Sequence, residues 1–166
     1  MGAETYDVDD STPHTGVTIT SGNTLTRDQS AGWVTLRATR PLTSASRTFA
    51  VRVLDVGQSS DGSGFMVGLL PRLPTAAVAL LGTKYISELG GWCLSRAGDS
   101  YGAWKCDRLP FGAGSVVEFE VDMAAKTVHV TCGRECAVGH IAALGDGEEL
   151  YPAVSLYYAG QKVVML

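Results

Sequence analysis

Three carboxylates in one strand-like run, Glu118, Glu120 and Asp122, are the residues best placed for catalysis. Alternate strand positions share a face, and a pair of carboxylates there could serve as acid and nucleophile in glycoside hydrolysis. A Glu-x-Asp-x-x-Glu arrangement would need a further carboxylate where the chain has Ala125, so the pair is incomplete and the row reads as the solvated side of a strand. Zinc chemistry is the second possibility. Cys132, Cys136 and His140 follow one another at intervals of four, with His129 three residues before Cys132, and zinc takes such ligands. The stretch nevertheless reads as a hairpin turning at Gly133, and the other two cysteines, Cys93 and Cys106, are far away in sequence. Free thiols are therefore expected, with no metal and no cofactor. No serine or cysteine has a nucleophile-elbow context, and no glycine-rich loop opens a helix as phosphate binding requires.

What remains is an aromatic set in loop-like regions or at strand ends: Tyr85, Tyr101, Trp104, Tyr157 and Tyr158, accompanied by Arg40, Arg72 and Arg96. Tyrosine, tryptophan and arginine dominate binding hot spots because they join a large contact area to a polar tip. Trp92 and Tyr151, by contrast, read as core residues, and Trp104 stands between the two readings. Tyr157 and Tyr158 are neighbours, so on a strand their side chains would face opposite sides and at least one would leave the core.

The elements that must hold these residues are strands. Runs of five to eight β-branched or aromatic residues alternate with turn signals, giving strands over 16–20, 33–39, 48–56, 65–70, 91–95, 116–123, 127–131, 150–156 and 162–166. Shorter pieces fall near 24–26, 101–104 and 137–141. In 116–123 the apolar Val117, Phe119, Val121 and Met123 alternate with Glu118, Glu120 and Asp122, as a half-buried strand requires. The single expected helix, 75–81, is short and follows Pro74, and the lack of regular strand–helix alternation argues against a parallel α/β fold. The expectation is an all-β, two-layer antiparallel sandwich with at most one short helix, forming one domain over 16–166 behind a flexible acidic leader, 1–15.

The leader lacks the basic flank and apolar stretch of a signal peptide, which leads to an intracellular, cytoplasmic expectation; Tyr6 stands where a myristoylation signal needs Ser or Thr. No apolar run approaches a membrane span. A formal charge of -4 without a Lys and Arg block argues against nucleic acid as partner. The chain stops at Leu166, directly after apolar residues, which suggests a domain excised from a longer protein.

From about Thr48 onward the order of segments resembles a SPRY domain, a β-sandwich module of ubiquitin-ligase adaptors and tripartite-motif proteins. Phe65-Met66-Val67-Gly68-Leu69 is similar to that family's strand ending in Val-Gly-Val, and Gly91-Trp92-Cys93-Leu94 to its Gly-Trp-x-Leu strand. Val121-Asp122-Met123 with Thr127-Val128 resembles its Leu-Asp-Met hairpin. Leu150-Tyr151-Pro152-Ala153-Val154-Ser155 resembles Leu-Tyr-Pro-x-Val-Ser, the most specific of the four. The chain departs from the family at Cys132-Gly133, where an Asn-Gly turn is usual, and at Cys136 and His140, where Leu and Phe are usual; the apparent metal cluster then reads as altered turn and core positions.

The resemblance implies a non-catalytic domain that binds a peptide or protein surface through its loops, as a targeting, adaptor or scaffold module; a sandwich with no long uncovered apolar strand is expected to be monomeric. It places an aromatic of the peptide pocket just after Leu-Tyr-Pro-x-Val-Ser, where Tyr157 and Tyr158 stand. Arg72 is then expected as a charged rim contact, Asp61 and Ser63 as hydrogen-bonding groups for an extended peptide, and Arg40 as part of a flanking loop. The alternative is a lectin-like sandwich binding sugar on the same aromatics; only the Asp61 turn and Asp146 offer acidic loops, and neither has a full calcium ligand set.

Overall fold

The computed structural model describes residues 6–29, 32–43, 47–58, 64–141, 144–145 and 148–166. Along these the elements run β1 (Val17–Thr20), β2 (Thr24–Arg27), β3 (Val34–Arg37), β4 (Thr48–Val56), β5 (Phe65–Pro71) and α1 (Thr75–Val78). Two 3-10 turns follow, Ala79–Gly82 and Ile86–Leu89. The chain continues with β6 (Trp92–Ser95), β7 (Ser100–Tyr101), β8 (Lys105–Cys106), β9 (Val116–Asp122), β10 (Thr127–Cys132), β11 (Glu135–His140), β12 (Leu150–Leu156) and β13 (Gln161–Met165).

Two antiparallel sheets result, an eight-stranded one in the order β1-β2-β13-β4-β9-β10-β11-β8 and a five-stranded one in the order β3-β12-β5-β6-β7. Between them lies the main core, with Phe49, Val51, Phe119 and Val130 from one sheet against Phe65, Val67, Leu94 and Val154 from the other. The expected two-layer all-β sandwich is what forms.

The two sheets carry different sequence patterns for a physical reason. β9 is buried at Val117, Phe119 and Val121 and exposed at Glu118 and Glu120, because its second face meets water. β5 and β12 have no such face. Phe65, Val67 and Leu69 of β5 enter the main core, whereas Met66 and Leu70 turn outward into a second apolar cluster with Leu81, Ile86, Leu89, Cys93 and Ala153. Residues 75–89 roof that outer face, so the central strands are buried on both sides and read as near-continuous apolar runs.

The expected helix is four α-helical residues extended by a 3-10 turn, and the second 3-10 turn, Ile86–Leu89, has no helical period to announce it. The flexible leader needs correcting for its described part. Tyr6 is fully buried, Val8 pairs with Ala38, and the Val8 N–H donates to the Gly22 carbonyl at 2.7 Å. A large aromatic with an apolar place to go outweighs the acidic composition around it.

Candidate functional site

β12 organises the site. Its residues 151, 153 and 155 face the roof, and the chain leaves the sheet after Leu156, bringing Tyr157 and Tyr158 into a turn rather than a strand. The two rings therefore do not point to opposite faces; they touch, with centroids 4.8 Å apart. Tyr157 meets Trp33 edge-on at 5.2 Å, Trp33 meets Tyr85 at 5.0 Å, and Tyr85 meets Tyr101 at 6.5 Å. Five half-exposed rings form one continuous row.

The turn is fixed from beneath by Gln161, which is fully buried. Its Oε1 accepts the backbone N–H of Tyr157 at 2.8 Å and of Tyr158 at 3.0 Å, and its Nε2 donates to the Gly64 carbonyl at 2.8 Å. One side chain thus ties the aromatic pair to the end of the loop before β5. Gly64 must stay without a side chain, because a Cβ there would overlap Cδ2 and Cε2 of Tyr158.

Arg27 braces the same region. The Gly160 N–H donates to its carbonyl at 2.8 Å, and its buried guanidinium donates to the carbonyls of Thr15 at 3.0 Å and Gly32 at 2.9 Å, the second directly before Trp33. Burial lowers its pKa, with Asp28 partly opposing, yet an arginine remains a cation at neutral pH.

A buried hydroxyl pair holds the other half of the row. Thr35 Oγ1 lies 2.6 Å from the Lys84 carbonyl and 2.7 Å from Ser155 Oγ, and the Ile86 N–H donates to Ser155 Oγ at 3.0 Å. The carbonyl can only accept, so Thr35 donates its one proton there and Ser155 must donate to Thr35. Two short side chains of the sheet thereby clamp residues 84 and 86, and Tyr85 between them is held beside Trp33.

The expected site does not stay together. Arg40 and Arg72 lie at the far end of β12: Pro71 is opposite Leu150, and the Leu42 N–H donates to the Leu150 carbonyl at 2.8 Å. Six strand steps separate that end from Leu156, about 20 Å, so Arg72 is no rim contact for Tyr157 and Tyr158. Arg40 instead lies over the Tyr6 ring at 4.4 Å. Arg37 lies over Tyr151 at 5.4 Å and pairs with Asp9 at 3.8 Å. The Tyr151 phenol, donating to Glu149 at 2.8 Å, has its pKa raised by burial and by that carboxylate. Asp61 and Ser63 lie outside the described residues, immediately before Gly64.

The residues missed from sequence are Trp33, Gln161 and the Thr35–Ser155 pair. Gln161 had a signal: it shares the inward alternation of Val163 and Met165, and a glutamine among buried positions must be hydrogen-bonded.

The two other constellations disperse. Glu118 and Glu120 project from the exposed face of β9, with Glu120 3.4 Å from Arg47. Cys132 packs against the core, whereas Cys136 and His140 are exposed, and Ala137 and Gly139 fill the inward positions of β11. Cys136 and His140 are therefore not core substitutes. Among the described residues no group of three His, Cys, Asp or Glu side chains could hold a metal ion.

No family model and no curated protein matches the sequence. The architecture does match solved structures. The SPRY domain of human HERC1 superposes with a TM-score of 0.67 at 22% identity, over 90% of this chain and 91% of that one. The PSpry domain of TRIM65 gives 0.70 at 12% identity, over 98% and 90%. The fold is that of a SPRY domain. The NHR1 domain of Drosophila melanogaster Neuralized shares the architecture, with a TM-score of 0.67 at 14% identity over 98% of both chains. Within this SPRY-type sandwich, the aromatic row spans the roofed outer side of the smaller sheet and ends at the turn after β12.

Proposed function

We propose that this chain is a non-catalytic protein-binding module, and that its binding surface is the end of the sandwich carrying Tyr157, Tyr158, Trp33 and Tyr85. The observation that carries this reading is the pinned aromatic row. Rings that pack against one another on backbone fixed by buried hydrogen bonds lose little freedom on binding, so their contact area is converted into affinity with a small entropic cost. The same rings are half-exposed, which leaves apolar faces available to a partner. Similarity to SPRY and NHR domains supports a protein or peptide as ligand. An adaptor or scaffold role for a monomeric domain in the cytoplasm follows the same proposal. Glu118 and Glu120 lie on an open strand face rather than in a cleft, which supports a role without catalysis.

The test is retention of partners from lysate by the wild-type domain beside a Tyr157→Ala, Tyr158→Ala variant whose fold is verified by circular dichroism. Proteins lost only with the variant are then purified and titrated; a hot-spot tyrosine costs about 2 kcal/mol or more of binding. Identical retained sets would overturn the assignment of the surface. A glycan array run alongside would overturn the protein reading if it alone gave binding that the variant abolishes.

A further inference from the structure

At the lateral edge of the sandwich, the chain crosses from β7 in the small sheet to β8 at the edge of the large one through Gly102, Ala103 and Trp104. That crossing bounds a cleft of about 490 Å³ lined by Gly102, Ala103, Trp104, Lys105 and His140. None of these residues belongs to the aromatic row, and the inference is independent of the proposed protein-binding end.

The wall of the cleft is rigid. Trp104 is 8% exposed, its Nε1 donates to the Tyr101 carbonyl at 3.0 Å, and its ring lies on Gly139, where any Cβ would collide with Cε3 and Cζ3. Gly102 has φ +106°, in the left-handed region, and a Cβ there would overlap the Gly91 carbonyl oxygen. Gly139 thus makes room for the indole, Gly102 lets the crossing pack against Gly91, and a hydrogen bond fixes the ring that borders the cleft.

The rim is basic. Lys105 and His140 are directly opposite each other in the β11–β8 ladder, so their side chains leave the sheet on the same face about 5 Å apart at their origins. Both are exposed, and among the described residues neither has an ion pair or hydrogen bond through its side chain. In a chain of net charge -4, an ammonium and an imidazole that have no ion pair among the described residues and border an apolar cleft form a local anion-attracting site.

The geometry points to a second binding site here, for a carboxylate carried on a compact apolar body. The apolar part fills the space beside Gly102, Ala103 and Trp104, and the carboxylate meets Lys105 and His140 at the rim. The carboxylate can come from a free small acid or from an acidic side chain next to an aromatic one in a peptide; the chemistry is shared.

The test is an amide NMR titration of the 166-residue chain with phenylacetate, its neutral counterpart phenylacetamide, and the capped dipeptide Ac-Asp-Phe-NH2, in wild type and in Lys105→Glu. The exposed position of Lys105 allows that substitution without disturbing the core. A ligand of about ten non-hydrogen atoms in a shallow cleft binds in the millimolar range. Phenylacetate is expected to shift the amides of residues 102–105 and 140, with phenylacetamide about tenfold weaker and Lys105→Glu about tenfold weaker for the acid alone. Tighter binding of the dipeptide than of phenylacetate assigns the site to a peptide, and weaker binding assigns it to a free acid. No shift with either acid up to about 20 mM, or an equal response to the amide and to the acid, overturns the proposal.

Discussion

Replacing Gln161 by Leu removes three hydrogen bonds while keeping the side-chain volume nearly constant. The two bonds accepted from Tyr157 and Tyr158, at 2.8 and 3.0 Å, and the one donated to Gly64, at 2.8 Å, all converge on a side chain with no exposure. At about 1 kcal/mol net for each, the substitution costs about 3 kcal/mol. That is a large share of the roughly 5–15 kcal/mol that holds a domain together. With a urea m-value of about 2 kcal/mol per molar, the unfolding midpoint falls by about 1.5 M. Tryptophan fluorescence is the readout, because the Trp33 ring lies 5.2 Å from Tyr157. A second variant, Gln161→Glu, tests the roles of the individual atoms. A protonated glutamic acid can still accept from both tyrosine N–H groups and donate to Gly64; the carboxylate can only accept. Burial raises the folded pKa of this acid above the unfolded value of about 4.3, so the native state binds more protons over the intervening range. Relative to wild type, the variant is then most stable below about pH 4.3 and loses stability as pH rises through the folded value. A Leu variant less than about 1 kcal/mol below wild type, or a Glu variant whose difference from wild type is flat with pH, would refute the reasoning.

Removing the Ser155 hydroxyl leaves the buried Ile86 N–H without its acceptor, so Ser155→Ala costs about 2 kcal/mol. The double cycle with Thr35→Val shows a coupling of about 1 kcal/mol in urea unfolding, whereas strict additivity would contradict the shared proton chain. Burial pushes the Cys93 thiol up to about 12, and burial with the Asp107 charge pushes Cys106 up to about 11, both from 9.0. The contribution of these thiols to stability is complete below the unfolded value and lost as pH rises through the folded ones. Alkaline unfolding curves of Cys93→Ala are therefore expected to fall less steeply between pH 9 and 12 than those of wild type, and equal slopes would contradict the burial argument.

The sequence alone determined the layers. Alternation in Val117, Phe119 and Val121 against Glu118 and Glu120 states that β9 has one wet face, and the unbroken apolar run Phe65 to Leu70 states that β5 has none. These are properties of neighbours along the chain, which a strand's period of two converts directly into burial. The resemblance of Leu150 to Ser155 to a SPRY strand likewise located β12 to the residue, and with it the turn bearing Tyr157 and Tyr158. Tertiary structure decided which side chains share a place. Arg72 and Tyr157 follow strands that meet, yet antiparallel pairing puts the end of β5 opposite the start of β12, and the two residues are driven to opposite ends. Trp33 joins Tyr157 because β3 pairs with β12 across 120 residues of sequence, as the Thr35–Ser155 contact records, and Tyr6 is buried where residues 7–9 pair with residues 37–39 at the end of β3. Register and sheet order are long-range choices made by whole apolar faces, and no local pattern of residue types carries them.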